Sequence, residues 1–395
     1  MRHRFHDTVV NVAAHPLRWP LARLTRRLGA AVHVPGLGLV ISGAELATEV
    51  MQRDRDFTKN GQGSISAVIT QLVGPFALSN MDGEAHRQLR TRIGDLLSPS
   101  RVNGLLDACR RPIDDMVRDL VAGETIDLVS VMRTLSGRLA MEMIGVTPAD
   151  GTADQAARGL VALGERVAAE FRLRRLSVRR ARRMKADIDR LSDYARSAYD
   201  AEAGSETSLV RRLRTLGVSF EETRGVVSIF FIAGTLTTAL SLPRIVALLI
   251  DSGQIDRLRE NPEGVPRAIE EGLRYVTPVP ATVRIADREV MLRGRRVRAG
   301  TRVVILTTNL TRDPAIFPDP FCFDIDRVQD PRGRHLSYGA GPHFCFGFAL
   351  AQRELQRVLE TLVALRGRLV IVRRRPAFGA LLPRYDRLAI RLASA

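Results

Sequence analysis

The sequence predicts a mainly α protein with a minor β part, and three observations carry that expectation. Across residues 44–203 apolar side chains recur at spacings of three and four, the period of a half-buried helix. Residues 225–243 hold no charge, which marks either a helix buried on all sides or one long enough to cross a bilayer. Strand-like pieces are short and sit near the start and in the last third of the chain.

Taken in order, residues 1–7 are polar, and residues 9–31 are broken by Pro16, Pro20 and several arginines, so a signal peptide's continuous apolar core is missing. This opening is arginine-rich and poor in acids, as transit peptides are. Leu21, Leu24 and Leu28 equally fit a short amphipathic helix docked on a body. Residues 32–41 read as a hairpin turning at Pro35-Gly36. Ser98-Pro99 and Thr147-Pro148 read as helix boundaries, because a residue before proline is pushed out of the α region. Residues 172–185 form a dense basic run, most simply a solvated helix face, with a membrane surface or an acidic partner as alternatives. In the uncharged run, Ser228, Thr235, Thr237, Thr238 and Ser241 favour a buried central helix over a transmembrane anchor. Pro243 is expected to kink or end it, since it removes a backbone donor and clashes with a carbonyl. Strands are expected at 282–285, 303–306, 369–372 and 388–392. With no repeat and no long linker, a single domain spanning 1–395 is expected.

Composition narrows the function classes. The 395 residues are 45% hydrophobic and 26% charged, which is ordinary globular usage and excludes a disordered tail or a collagen-like chain. Cys109, Cys322 and Cys345 are too few for a secreted disulfide framework, so a cytoplasmic setting is expected. The net charge of +17 comes almost wholly from arginine, since Lys59 and Lys185 are the only lysines. A basic soluble surface is the simplest reading, an anionic partner the next. No nucleic-acid partner is expected: no recognition motif is present, and five tyrosines with one tryptophan offer little base stacking.

The informative stretch is 338–347, Tyr-Gly-Ala-Gly-Pro-His-Phe-Cys-Phe-Gly, followed by a helix-like run over 348–362. Gly339 and Gly341 allow a tight non-helical loop. Cys345 follows, then Gly347, then a helix, whose free N–H groups and dipole favour a sulfur anion. Such a sulfur can be an axial metal ligand. A dinucleotide fingerprint would need glycine where Phe344 stands, and zinc would need more ligands than His343 and Cys345. Spacing alone leaves open a nucleophilic cysteine paired with His343, and an inert buried cysteine.

This loop resembles the haem-ligand signature of the cytochrome P450 superfamily, with Tyr338 where phenylalanine is usual. Three further landmarks follow the same order: Glu271-Gly272-Leu273-Arg274, the Phe323–Arg327 segment, and His86-Arg87-Gln88-Leu89-Arg90. The resemblance implies a triangular helical prism around haem b, with Cys345 as the metal ligand. It implies that His343, His86, Arg90 and Arg284 hold the haem propionates, with Tyr338, Gly339 and Gly347 shaping the loop. Glu271, Arg274 and Arg327 would form a structural ion cluster that pins the segment before Cys345. Gly234 would lie against the haem face, with Thr237 and Thr238 handling bound dioxygen and its protons. The substrate pocket would be lined by Phe230, Ala233, Leu236 and Val279, with residues 61–78 and 378–382.

The implied function is a haem-thiolate monooxygenase, inserting one oxygen atom from dioxygen into an apolar or amphipathic small molecule in a biosynthetic tailoring step. Electrons would come from NAD(P)H through a separate ferredoxin and ferredoxin reductase, docking near Arg87, Arg92, Arg353 and Arg357. One position departs from the family pattern: Leu236 stands where an acid is usual, and leucine cannot relay a proton. Two alternatives therefore stand beside monooxygenation. One is oxidative coupling, cyclisation or peroxide-driven oxidation on the same fold; the other is a non-catalytic haem-binding or recruiting protein.

Overall fold

The computed structural model describes residues 2–61, 70, 74, 76–146, 152–170, 178–200 and 208–393. Helices dominate. The centre is one long helix, Phe220–Ser252, apolar and long enough to span a bilayer yet mostly buried inside the protein. A capping box opens it: Ser219 Oγ accepts from Glu222 N at 3.3 Å, and Ser219 N donates to Glu222 Oε2 at 2.9 Å. Gly253, at a φ of 72°, closes it. Within it, Phe230–Thr235 winds as a π-helix, a distortion found mostly at functional sites.

Pro243 does not end the helix, one of the two outcomes expected of it, because the helix runs through it to Ser252. Losing one backbone bond and meeting one carbonyl costs about 3 kcal/mol. Ala239, Leu242, Ile245, Val246 and Leu249 are all fully buried in the largest core cluster, which offsets that cost. The next residue, Arg244, is also buried. It pairs with Asp7 and donates to Val276 O at 2.9 Å, tying the first helix, Arg2–Ala14, to the centre.

The strands are β1 (Ala31–Val34), β2 (Gly38–Ile41), β3 (Phe57–Thr58), β4 (Ile126–Asp127), β5 (Thr282–Ala286), β6 (Val290–Leu292), β7 (Arg295–Val297), β8 (Arg302–Ile305), β9 (Arg368–Pro376) and β10 (Tyr385–Ala393). The main sheet has the order β1-β2-β8-β5-β3, with β2 and β8 parallel. The hairpin at 32–41 and all four late strands form where periodicity places them. Ser98 caps the helix Pro99–Ala108, as the Ser-Pro step predicts. The Thr147-Pro148 boundary and residues 172–177 of the basic run lie outside the described residues; residues 178–185 open the helix Val178–Asp200, with Arg179, Arg182, Arg183 and Lys185 exposed and Met184 buried.

A second correction concerns the helix Arg18–Arg27. It forms, but Leu21, Leu24 and Leu28 face solvent at 58%, 50% and 61% exposure. Its docked side is polar instead. Asn309 Nδ2 donates to Ala22 O at 2.7 Å, and Arg26 Nη1 donates to Arg312 O at 3.2 Å.

Candidate active site

The loop Tyr338–Gly347 is built by two left-handed glycines. Gly339 and Gly341 have φ of 85° and 69°, and a Cβ on Gly341 would lie 2.4 Å from Met51 O. Cys345 N donates to Tyr338 O at 3.1 Å, closing the loop. Gly347 caps the helix Phe348–Ala364 and donates its N–H to the Cys345 sulfur. Burial raises the thiol pKa; that N–H, Arg90 and Lys59 oppose the rise.

The sulfur faces a cavity that encloses about 1180 Å³ of non-protein space, counting the solvent at its mouth. The wall across from it is the central helix, through Phe230, Ala233, Gly234, Thr235, Thr237 and Thr238. A Cβ on Gly234 would meet nothing within 4 Å, so this face is flat and open. Thr237 Oγ1 donates to Ala233 O at 3.0 Å, across the π-helical turn.

One end of the cavity is strongly cationic. Lys59, His86, Arg90 and His343 line it, and Arg284 is buried beside them. The His86 and His343 rings stack at 4.3 Å. Their pKa values fall, that of His86 to about 4, through burial and the neighbouring cations. Burial pulls Lys59 to about 7 and Arg284 to about 10. Asp82 partly answers this charge, accepting from Lys59 N at 3.0 Å and lying 3.0 Å from His343 Nε2. His86 Nδ1 remains buried with no partner among the described residues.

A flat slot, a sulfur anion site on one wall and an under-neutralised cationic end fit an iron porphyrin with its two propionates. Cys345 would hold the iron, and His86, Arg90, Lys59 and Arg284 would face the propionates. Lys59 lay outside the sequence pattern. Lys59→Met is expected to speed loss of the porphyrin about tenfold or more, through one lost charge-assisted contact. Transfer of the pigment to an apo-globin trap measures it.

The ion cluster is assembled behind this loop. Glu271 is fully buried; Arg274 Nε and Nη2 donate to its two oxygens at 2.6 and 2.8 Å, and Arg327 Nε approaches within 3.2 Å. The two guanidiniums also bind carbonyls of Thr311, Asp319, Pro320 and Cys322, fixing the segment that leads toward the loop.

Several residues sit elsewhere than the sequence suggests. Leu236 does not line the cavity; it is 2% exposed, packed with Val161, Ala168 and Leu240 against Leu381 and Leu382. An apolar side chain gains from that packing, which is why it turns away from the open wall. Val279 and Phe378 are not among the residues that line the cavity, and they are 38% and 84% exposed. Most of 61–78 lies outside the described residues. Arg87, Arg353 and Arg357 pair with Asp54, Glu360 and Asp107, so less free positive charge is left for docking than the sequence suggests.

The structure adds one acid that the motif reading missed. Glu354, on the helix after the cysteine loop, is 2% exposed and lines the cavity. Ser136 Oγ donates to its Oε1 at 2.6 Å and lies 3.2 Å from Thr238 Oγ1. Burial pushes the carboxyl up to about 7, against the pull of those hydroxyls.

A helical prism that presents a cysteine sulfur to a flat, cation-ended slot defines a haem-thiolate protein. Comparison with known proteins agrees. The cytochrome P450 family model matches residues 179–365. Cytochrome P450-SU2 of Streptomyces griseolus is 31% identical over 72% of this chain and 68% of its own length. The putative cytochrome P450 126 of Mycobacterium tuberculosis is 29% identical over 75% and 72%. The putative cytochrome P450 140 of the same species is 41% identical, but the match spans only 32% of that relative. Among solved structures, CalO2 superposes with a TM-score of 0.81 at 26% identity, covering 97% of both chains. The chain belongs to the cytochrome P450 family.

Proposed function

We propose that the protein is a haem-thiolate monooxygenase that inserts one oxygen atom from dioxygen into an apolar or amphipathic small molecule, as a biosynthetic tailoring step in the cytoplasm. The observation that carries this reading is that Cys345, Gly234 and Thr237 line one cavity. Bound haem would supply the oxygen activation. The chain's own residues bind and orient the substrate through Leu139, Met143, Ile229 and Phe230, which give the cavity an apolar wall. Electrons would arrive from NAD(P)H through a ferredoxin and its reductase.

Protons need a carrier, because Leu236 turns into aliphatic packing. Glu354 holds a proton at its carboxyl, and the Ser136 and Thr238 hydroxyls extend from it to the cavity wall. Its folded pKa stands above the unfolded value, so the native state binds more protons between about 4.5 and 7. Whatever stability the protonated carboxyl gives is complete at low pH and fades as pH rises through 7. A protonated-carboxyl infrared band that disappears near pH 7, and is absent in Glu354→Gln, is the expected result; a band lost near pH 4 would refute it. The same variant is expected to lower coupling of NAD(P)H to product.

Turnover under isotopically labelled dioxygen tests the function itself, and one labelled atom in the product is expected. A product without label would favour oxidative coupling or ring formation, the reading that Leu236 motivates. One solved relative is described as forming a C–S bond: CxnD, 25% identical over 94% of this chain, with a TM-score of 0.78. Tight haem binding without turnover by any oxidant would favour a recruiting role.

A further inference from the structure

Among the described residues, one apolar stripe at helical spacing faces solvent. Leu17, Leu21, Leu24 and Leu28 stand at intervals of three and four and are 50–79% exposed. Such spacing puts all four on one side of a helix. The preceding helix repeats the device: Phe5, Val9 and Val12 are exposed at the same spacing.

These faces are not loose ends. The opposite sides are anchored, the first helix by Val10, Ala14 and the Asp7–Arg244 pair, the second by Ala22, Thr25 and Arg26. An anchored helix that turns leucines outward holds them for something else.

The surrounding charge indicates what that is. Arg4, Arg23 and Arg27 are exposed beside the leucines, and neither Arg23 nor Arg27 has a carboxylate of the described residues within salt-bridge distance. The one acid in residues 2–31, Asp7, is buried against Arg244. An apolar stripe flanked by unneutralised arginines matches the interface of an anionic lipid bilayer: leucines reach the acyl boundary and guanidiniums the phosphates. A protein partner of ordinary kind would bring acids to some positions and bases to others, and residues 8–31 of this segment carry no acid to meet the bases.

We propose that the two N-terminal helices dock the protein peripherally on anionic lipid, lying in the headgroup plane rather than crossing it. The contact also reaches the central helix through the C-terminal loop. Gly379 N donates to Ala13 O at 2.8 Å, and His15 Nε2 lies 3.0 Å from Leu381 O. Phe378 in that loop is exposed beside the first helix, while Leu381 and Leu382 pack on Leu236. The docked face is thus continuous with a loop that touches the central helix, which suits a substrate dissolved in lipid.

The sole tryptophan, Trp19, is half-buried on the docked side of this helix, over Arg312, so binding is read by sedimentation. The whole haem-loaded protein is mixed at low salt with vesicles of phosphatidylglycerol and phosphatidylcholine, or of phosphatidylcholine alone. Co-sedimentation with the anionic vesicles, and none with phosphatidylcholine alone, is expected. The double variant Leu21→Ser, Leu24→Ser is expected to weaken binding about tenfold or more. Arg23→Glu with Arg27→Glu should weaken it about fivefold per charge. Both pairs are exposed, and unchanged melting verifies the fold. Three results would overturn the proposal: no sedimentation with anionic vesicles, binding indifferent to both double variants, or a dimer that the serine variant abolishes while vesicles are ignored. Because binding is read without turnover, failure here leaves the enzymatic reading untouched, and the reverse holds too.

Discussion

Replacing Glu271 by alanine is expected to lower folding stability by about 3–5 kcal/mol, read as a shifted urea midpoint with an unchanged slope. The carboxylate lies between Arg274 and Arg327, both nearly inaccessible to water, and it also accepts from Asp324 N at 3.0 Å. Removing it leaves two buried guanidiniums facing each other with no anion between them. Losing one ion pair on the surface would cost under about 1 kcal/mol; burial is what makes this one matter. Glu271→Gln keeps the shape and some hydrogen bonds, so its loss should be smaller but in the same direction. A change within error for the alanine variant would mean that water reaches the cluster freely, against its exposure in the structure.

The second large effect belongs to Cys345→Ala. The ferrous carbon monoxide complex of the unaltered protein should show the red-shifted absorption of thiolate ligation, and the variant should lose that band entirely. The loop itself should survive, because its turns rest on Gly339, Gly341 and the Cys345 N to Tyr338 O bond rather than on the side chain. Circular dichroism separates the two: helix content retained with the band gone is the expected pair of results. A variant that keeps both pigment and band would place the iron ligand elsewhere and remove the basis of the functional proposal.

Much of this architecture is legible in the residues because local rules and tertiary packing agree. The late strands are short apolar stretches, most of them rich in valine and isoleucine, and the cysteine loop announces itself by glycines that only a tight turn requires. What escaped detection has a common physical cause: it depends on direction or on neighbours distant in sequence. Leu236 shares a helix turn with cavity-lining residues, yet its side chain buries in a cluster made by residues 161, 168 and 240 and the C-terminal loop. Glu354 is one acid among many until burial and Ser136, 218 positions away, single it out. Lys59 becomes informative only when Arg284 and His343 close around it. The outward turn of Leu21 and Leu24 is invisible to periodicity, which gives the angle between side chains but not which way the stripe faces. Pro243 shows the converse, a strong local rule overruled by a dense core.

The pair between Asp7 and Arg244 also sets an order of events during synthesis. The first helix is made well before its anchoring guanidinium, which emerges 237 residues later, and before the carbonyl of Pro383 that the same arginine binds. It therefore cannot complete its native contacts until both have been made. Until then a nascent chain carries Phe5, Val9 and Val12 on a helix not yet tied to the core, free to meet whatever surface lies near the tunnel exit.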